Sequence, residues 1–204
     1  MGISDAKKYI QQLHRRQSDP FLWPDFLTGL PDKVAIFKKL EEVYPKLGKI
    51  SVAYVRISNI HSYLVKYGPN QHADIIQWTA AILKTTADRC KNGFAGTLGT
   101  HDFMVMCESR EMPKLMDEAA QLFQKQMRNY YSSQDLKDRT TLSFTKDRGT
   151  DIRIGLMKLV YVIADKKLSV GRGDLILGMA GICDAVEGSG EDMMVLNQDM
   201  ICTD

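Results

Sequence analysis

Residues 4–17 repeat apolar and polar positions with a helical period. Ala6, Tyr9, Ile10 and Leu13 share one face, and Lys7, Lys8, Gln11 and Arg15 lie largely on the other. Ser18-Asp19-Pro20 breaks that pattern and Pro24 keeps the following stretch non-helical, so residues 1–22 read as a leading helix and linker. Leu27-Thr28-Gly29-Leu30-Pro31 reads as a turn, after which Asp32 caps a helix running to about Tyr44 with Val34, Ile36, Phe37, Leu40 and Val43 at helical spacing. Ser51–Ile57 is β-branched and aromatic and predicts a strand. A short helix over 59–66 ends at Tyr67-Gly68-Pro69, and a long one follows from Asn70 to Cys90 with Ile75, Ile76, Thr79, Ile82 and Leu83 inward. Phe94–Leu98 and Phe103–Cys107 flank Gly99-Thr100 and predict a β-hairpin.

A helix over 111–129 presents Leu115, Met116, Ala119, Leu122 and Phe123 as its buried stripe. Residues 130–150 are polar and charged and read as an inserted loop with room for a small hairpin. Ile152–Ala164 predicts one long strand, Gly173–Val186 a helix and Met193–Leu196 a last strand. From Asp32 onward the order is α-β-α-α-β-β-α-β-α-β with no internal repeat. That order describes an α+β fold with helices flanking a mostly antiparallel sheet.

Composition narrows the setting. With 204 residues, 44% of them hydrophobic, the chain can bury one sizeable core. No apolar run approaches the length of a membrane span, and Met1–Asp5 lacks the apolar stretch of a signal peptide. Cys90, Cys107, Cys183 and Cys202 are widely spaced, without zinc-site spacing, as expected of reduced thiols in a cytoplasmic protein. A net charge of +2 gives no electrostatic case for nucleic acid or an anionic membrane, and the basic cluster Lys7, Lys8, Arg15, Arg16 reads as a solvated helix face.

Three local motifs then coincide with this order. Asp25-Phe26-Leu27-Thr28-Gly29-Leu30-Pro31-Asp32-Lys33 is similar to the opening D-x-L-T-G-L-P-N-R of the GGDEF domain, the diguanylate cyclase family. Gly99-Thr100-His101-Asp102-Phe103 stands where that family has its signature hairpin, and Ile182–Gly190 stands where its closing helix ends. The chain thus resembles a GGDEF domain over residues 23–197, with 130–150 as an insert and 198–204 as a tail. The resemblance implies a nucleotidyl-cyclase-like, ferredoxin-like palm sandwich. It also implies an ancestral chemistry: two domains, each holding GTP and a divalent metal, condense the two nucleotides into cyclic di-GMP.

Carried over position by position, the resemblance predicts that this chemistry is lost. The two metal-holding carboxylates align with Arg56 and His101. An arginine cannot ligate Mg²⁺, and His101, without a partner of suitable spacing, reads as a partly exposed turn residue. Thr100 replaces a glycine that lets backbone approach phosphate, and Asp102, the retained carboxylate, reads as a turn residue bonding local backbone. The guanine-reading positions are Leu64 and Ala73, and the late phosphate-binding lysine aligns with Val186. The inhibitory R-x-x-D site reads Cys90-Lys91-Asn92-Gly93, with Arg89 one residue out of place. Asp25, Leu27, Gly29, Pro31 and Phe103, whose role is folding, are retained.

The expectation is a catalytically inactive regulatory or protein-interaction module in bacterial signalling. It needs no cofactor, having lost Mg²⁺ and GTP binding, and its partner is another protein or a second copy, not nucleic acid or membrane. A non-catalytic sensor of GTP or cyclic di-GMP, with Arg56 and Lys91 as phosphate partners, is the alternative, and a divergent cyclase is a third reading.

Overall fold

The computed structural model describes residues 2–16, 25–146 and 150–201. Five strands form the central sheet: β1 (Ile50–Ser58), β2 (Phe94–Thr97), β3 (Asp102–Glu108), β6 (Lys158–Ala164) and β7 (Met193–Val195). Their order is β2-β3-β1-β6-β7, antiparallel throughout except for the parallel β6–β7 pair. The α+β expectation is met.

Residue parity along the strands builds two cores. Ala53, Val55, Ile57, Phe103, Val105, Leu159 and Tyr161 face α3 (Ile60–Tyr67), α4 (His72–Ala87) and α5 (Met112–Met127). Val52, Tyr54, Met104, Met106, Val160 and Val162 face α2 (Lys33–Val43) and α7 (Arg172–Ser189). Both faces of the sheet are therefore covered, which is why its strands read as apolar runs and not as an alternation. On α2, Ile36, Leu40 and Val43 are buried, but Val34, which shared their spacing, is 75% exposed.

The opening motif is a built corner. The Asp25 carboxylate accepts from the Thr28 N–H at 2.7 Å, Gly29 takes φ +67°, and Asp32 accepts from the Ala35 N–H at 2.9 Å as the helix cap. The leading helix, α1 (Ile3–Arg16), packs against α4: Ala6 is fully buried and the Tyr9 hydroxyl donates to the Thr28 carbonyl at 3.1 Å. Burial pushes the Tyr9 phenol up to about 12. The side chain of Leu13 and the linker at 17–24 lie outside the described residues.

Two expectations about the second half are corrected. The single strand over 152–164 is two strands. β5 (Thr150–Gly155) pairs with β4 (Thr140–Lys146) as a separate hairpin, and β6 alone joins the main sheet. The cause is register: β1 ends at Ser58, opposite Lys158, so residues before 158 have no neighbour in the main sheet. The insert also contains a helix, α6 (Ser133–Asp138), whose N-cap Ser132 accepts from the Asp135 N–H at 3.2 Å. Lys66 and Tyr67 hold the buried Asp135 carboxylate and fasten α6 to α3; the Lys66 bond first, then that of Tyr67, keeps its pKa below the usual range.

Candidate functional site

Arg56 and Asp102 are cross-strand partners at the ends of β1 and β3, on the face that looks toward α7. The Arg56 Nε donates to the Asp102 Oδ1 at 2.7 Å, Nη1 donates to the Asp184 carboxylate on α7, and Nη2 donates to the Tyr54 hydroxyl at 3.3 Å. The Arg56 side chain is 18% exposed. Burial alone pulls its pKa down, but the bond and charge of Asp102, then Asp184 and Tyr54, outweigh it and leave the guanidinium raised. The same surroundings, burial first and then Asp102, push the Tyr54 phenol up to about 12.

One turn beyond Asp184, the Glu187 carboxylate accepts from the Ser58 hydroxyl at 2.8 Å and from the Asn59 N–H at 3.0 Å. Asn59 itself takes a left-handed backbone (φ +61°), and its side-chain amide donates to the Leu156 carbonyl at 3.2 Å. Around these groups lies an open groove of about 540 Å³, lined by Arg56, Asn59, His61, His101, Asp102 and Glu187 among others. Its carboxylates are committed to Arg56, Ser58 and Asn59.

His101 lies half-buried in the β2–β3 turn, and two other histidines meet it there. Its Nε2 lies 2.8 Å from Nε2 of His72 at the start of α4, and its ring meets His61 edge-on with centroids 5.2 Å apart. Burial, then the charges of His72 and His61, hold the His101 pKa below its ordinary value. The three residues come from α3, α4 and the β2–β3 turn, so no sequence spacing could reveal them. Among the described residues, no group of three or more His, Cys, Asp and Glu side chains is arranged to hold a metal ion.

Asp102 is also corrected: its carboxylate pairs with Arg56 and not with local backbone. Its carbonyl closes the turn, accepting from the Leu98 N–H at 2.8 Å, while the His101 carbonyl accepts from the Ile57 N–H at 3.0 Å. Gly99 and Thr100 are exposed, and a Cβ at Gly99 would meet nothing within 4 Å. Phe103 is fully buried. Leu64 is half-buried against the core and Ala73 exposed, so neither position carries a polar side chain that could read a base.

Val186 is buried in the core between α7 and the sheet, so its side chain does not face the groove. The groove-facing positions of α7 are Asp184 and Glu187, which sequence alignment missed; three residues apart, they share a helix face. In the segment that the resemblance aligns with an inhibitory site, Cys90 is half-buried and its pKa raised by burial. Arg89 donates to Glu118 at 2.7 Å, and Lys91 pairs with Glu108 at 3.1 Å. A Cβ on Gly93 would stand 1.8 Å from the Ala87 carbonyl oxygen, so that glycine serves the turn.

No protein-family model matches the chain, and no curated protein matches it in sequence. Solved structures do match in shape. The coiled coil and GGDEF domain of DgcB from Caulobacter crescentus aligns at TM-score 0.56 and 14% identity, covering 95% of this chain and 97% of that one. The FimX GGDEF domain of Pseudomonas aeruginosa aligns at 0.53 and 10%, covering 84% and 98%. The diguanylate cyclase SiaD of Pseudomonas aeruginosa, solved with its activator SiaC, aligns at 0.58 and 11%, covering 95% and 70%. With the sheet order, the flanking helices and the hairpin in place, these alignments establish that the chain has the GGDEF-domain fold.

Proposed function

We propose that this domain is a catalytically silent GGDEF-like module that acts in signalling through protein contacts. The observation that carries the reading is the Arg56 guanidinium, held between Asp102 and Asp184 where the resemblance puts a metal-holding carboxylate. A fixed positive charge at that place repels a divalent cation, and its ion pairs occupy the carboxylate that could otherwise ligate one. The resemblance puts a phosphate-binding lysine at Val186, which is buried, and the α7 side chains that do face the groove, Asp184 and Glu187, are acidic. Triphosphate would meet repulsion there, not neutralisation.

The sensor alternative loses support from the same geometry. Arg56 and Lys91, its two phosphate partners, are both paired with carboxylates of the chain itself. The solved complex of SiaD with its activator is a precedent for protein partners on this fold. Incubation with GTP and Mg²⁺ or Mn²⁺, followed by chromatography, is expected to yield no cyclic di-GMP; measurable product overturns the proposal. Calorimetry with GTP and cyclic di-GMP is expected to be silent for the groove, and binding that Arg56→Gln abolishes would replace it with the sensor reading.

A further inference from the structure

A second cavity, of about 730 Å³, lies away from the hairpin groove, between the C-terminal half of α5, the insert and the β5–β6 link. Gln121, Gln124 and Lys125 on α5 and Arg128 at its C-cap line it, at helical spacing. The insert adds Tyr131, Leu136 and Arg139. The link adds Leu156, Met157 and Lys158. The lining contains four basic side chains and no acidic one.

Those charges differ in what they already do. Lys158 is spent on Asp192 at 2.5 Å and on the Gly190 and Glu191 carbonyls. Lys125, Arg128 and Arg139 form no ion pair among the described residues, so their charges are not spent within the chain as that of Lys158 is. The C-terminal end of α5 gives a reason for Lys125 and Arg128, since cations complement a helix dipole there. It gives none for Arg139, which belongs to another element, nor for the lack of acids.

Arg139 is informative through its backbone. It occupies the C-cap of α6 with φ +52°, a place where glycine or asparagine costs less. From that position Arg139 lines the cavity as part of the insert, not of α5. Between the walls, Met127, Tyr131 and Met157 form a buried floor, and the half-buried Leu136 and Leu156 extend it. The Tyr131 hydroxyl accepts from the Met157 N–H at 2.8 Å and lies 3.5 Å from the Thr141 hydroxyl, so the floor offers chiefly its ring and methyl groups.

From this arrangement we infer that the cavity binds a small organic phosphate with a planar or apolar body. Guanidinium and ammonium groups along one lining suit phosphate oxygens, an apolar floor fits a ring, and the volume is that of an ordinary small-molecule site. The site is separate from the hairpin groove and independent of whether that groove is silent.

Fluorescence titration of the full chain with 4-methylumbelliferyl phosphate tests the inference. Inorganic phosphate serves as the probe without a body and 4-methylumbelliferone as the probe without charge. Saturable binding by the ester is expected, with each partial probe at least about tenfold weaker. Arg128→Gln and Arg139→Gln should each weaken the ester by about threefold or more, as should Lys125→Gln. Lys39→Gln, which removes an exposed charge on α2, should leave it unchanged. Circular dichroism confirms that each variant is folded. The inference is overturned by no binding up to about 1 mM, by phosphate binding as tightly as its ester, or by equal losses in all four variants.

Discussion

Arg56 is the side chain on which two strands and a helix converge. It joins β1, β3 and α7 through Asp102 and Asp184, but Asp184 is 69% exposed, so the bond to Asp102 carries most of the energy. Arg56→Ala leaves the Asp102 carboxylate without its partner and should cost about 1–3 kcal/mol in urea denaturation. A double-mutant cycle with Asp102→Asn should show a coupling of at least about 0.5 kcal/mol; strictly additive losses would mean that the pair is not a functional contact.

His101 supplies a pH dependence with a defined sign. Its folded pKa lies below the ordinary 6.5, because of burial first and then His72 and His61, with Asp102 opposing and Arg56 reinforcing. The unfolded state therefore binds the proton more readily than the folded state. The stability from the neutral side chain is complete above about pH 6.5 and is lost as pH falls through the lowered folded value. Thermal melts between pH 7.5 and 5 should show this decline, and His101→Gln should flatten it; an unchanged slope in that variant would remove His101 as the cause.

At the scale of elements, three glycines of similar appearance in the sequence have different duties. Gly93 closes the turn between α4 and β2, where a Cβ would overlap the Ala87 carbonyl; Gly96 lies on β2 with the Ile36 side chain 2.5 Å from an added Cβ. Gly93→Ala should therefore be strongly destabilising, by more than about 3 kcal/mol, and Gly96→Ala by about 1–3 kcal/mol as Ile36 shifts. Gly99→Ala should change stability by less than about 0.5 kcal/mol, because its site is open and its φ is not left-handed. Chemical denaturation of the three variants orders them; a large loss at Gly99 would mean that the hairpin needs that glycine for folding.

At the scale of the whole molecule, α1 is a covering element. Ala6 is fully buried and Tyr9 and Ile10 pack against the α3–α5 core, with the Tyr9 hydroxyl bound to the opening corner. Removing residues 1–16 should expose part of α4 and cost about 2–4 kcal/mol by the lost apolar burial, lowering Tm by roughly 5–15 °C. Calorimetry that finds an unchanged Tm would instead mark α1 as a free arm. No helix among the described residues is long and apolar enough to cross a membrane.

Much of this was legible in the chain because it is local. Most helix periods, the Asp25–Lys33 corner, the Asp32 cap and the β2–β3 hairpin depend on residues within a few positions of one another, and these appear in the structure, Val34 excepted. What failed was decided at a distance. The strand over 152–164 breaks because β1 ends opposite Lys158, a fact about a partner a hundred residues earlier. Which residues of α7 meet the groove, Asp184 and Glu187, and which are buried, Val186 among them, is likewise set by packing against the sheet. By itself the sequence determined the α+β order, the corner and which residue types stand at the hairpin. Only the tertiary structure decided that Arg56 meets Asp102 and Asp184, that His61, His72 and His101 converge, and that unpaired cations gather over an apolar floor. Backbone periodicity is written locally, whereas charge pairing and side-chain convergence exist only once distant segments are packed together.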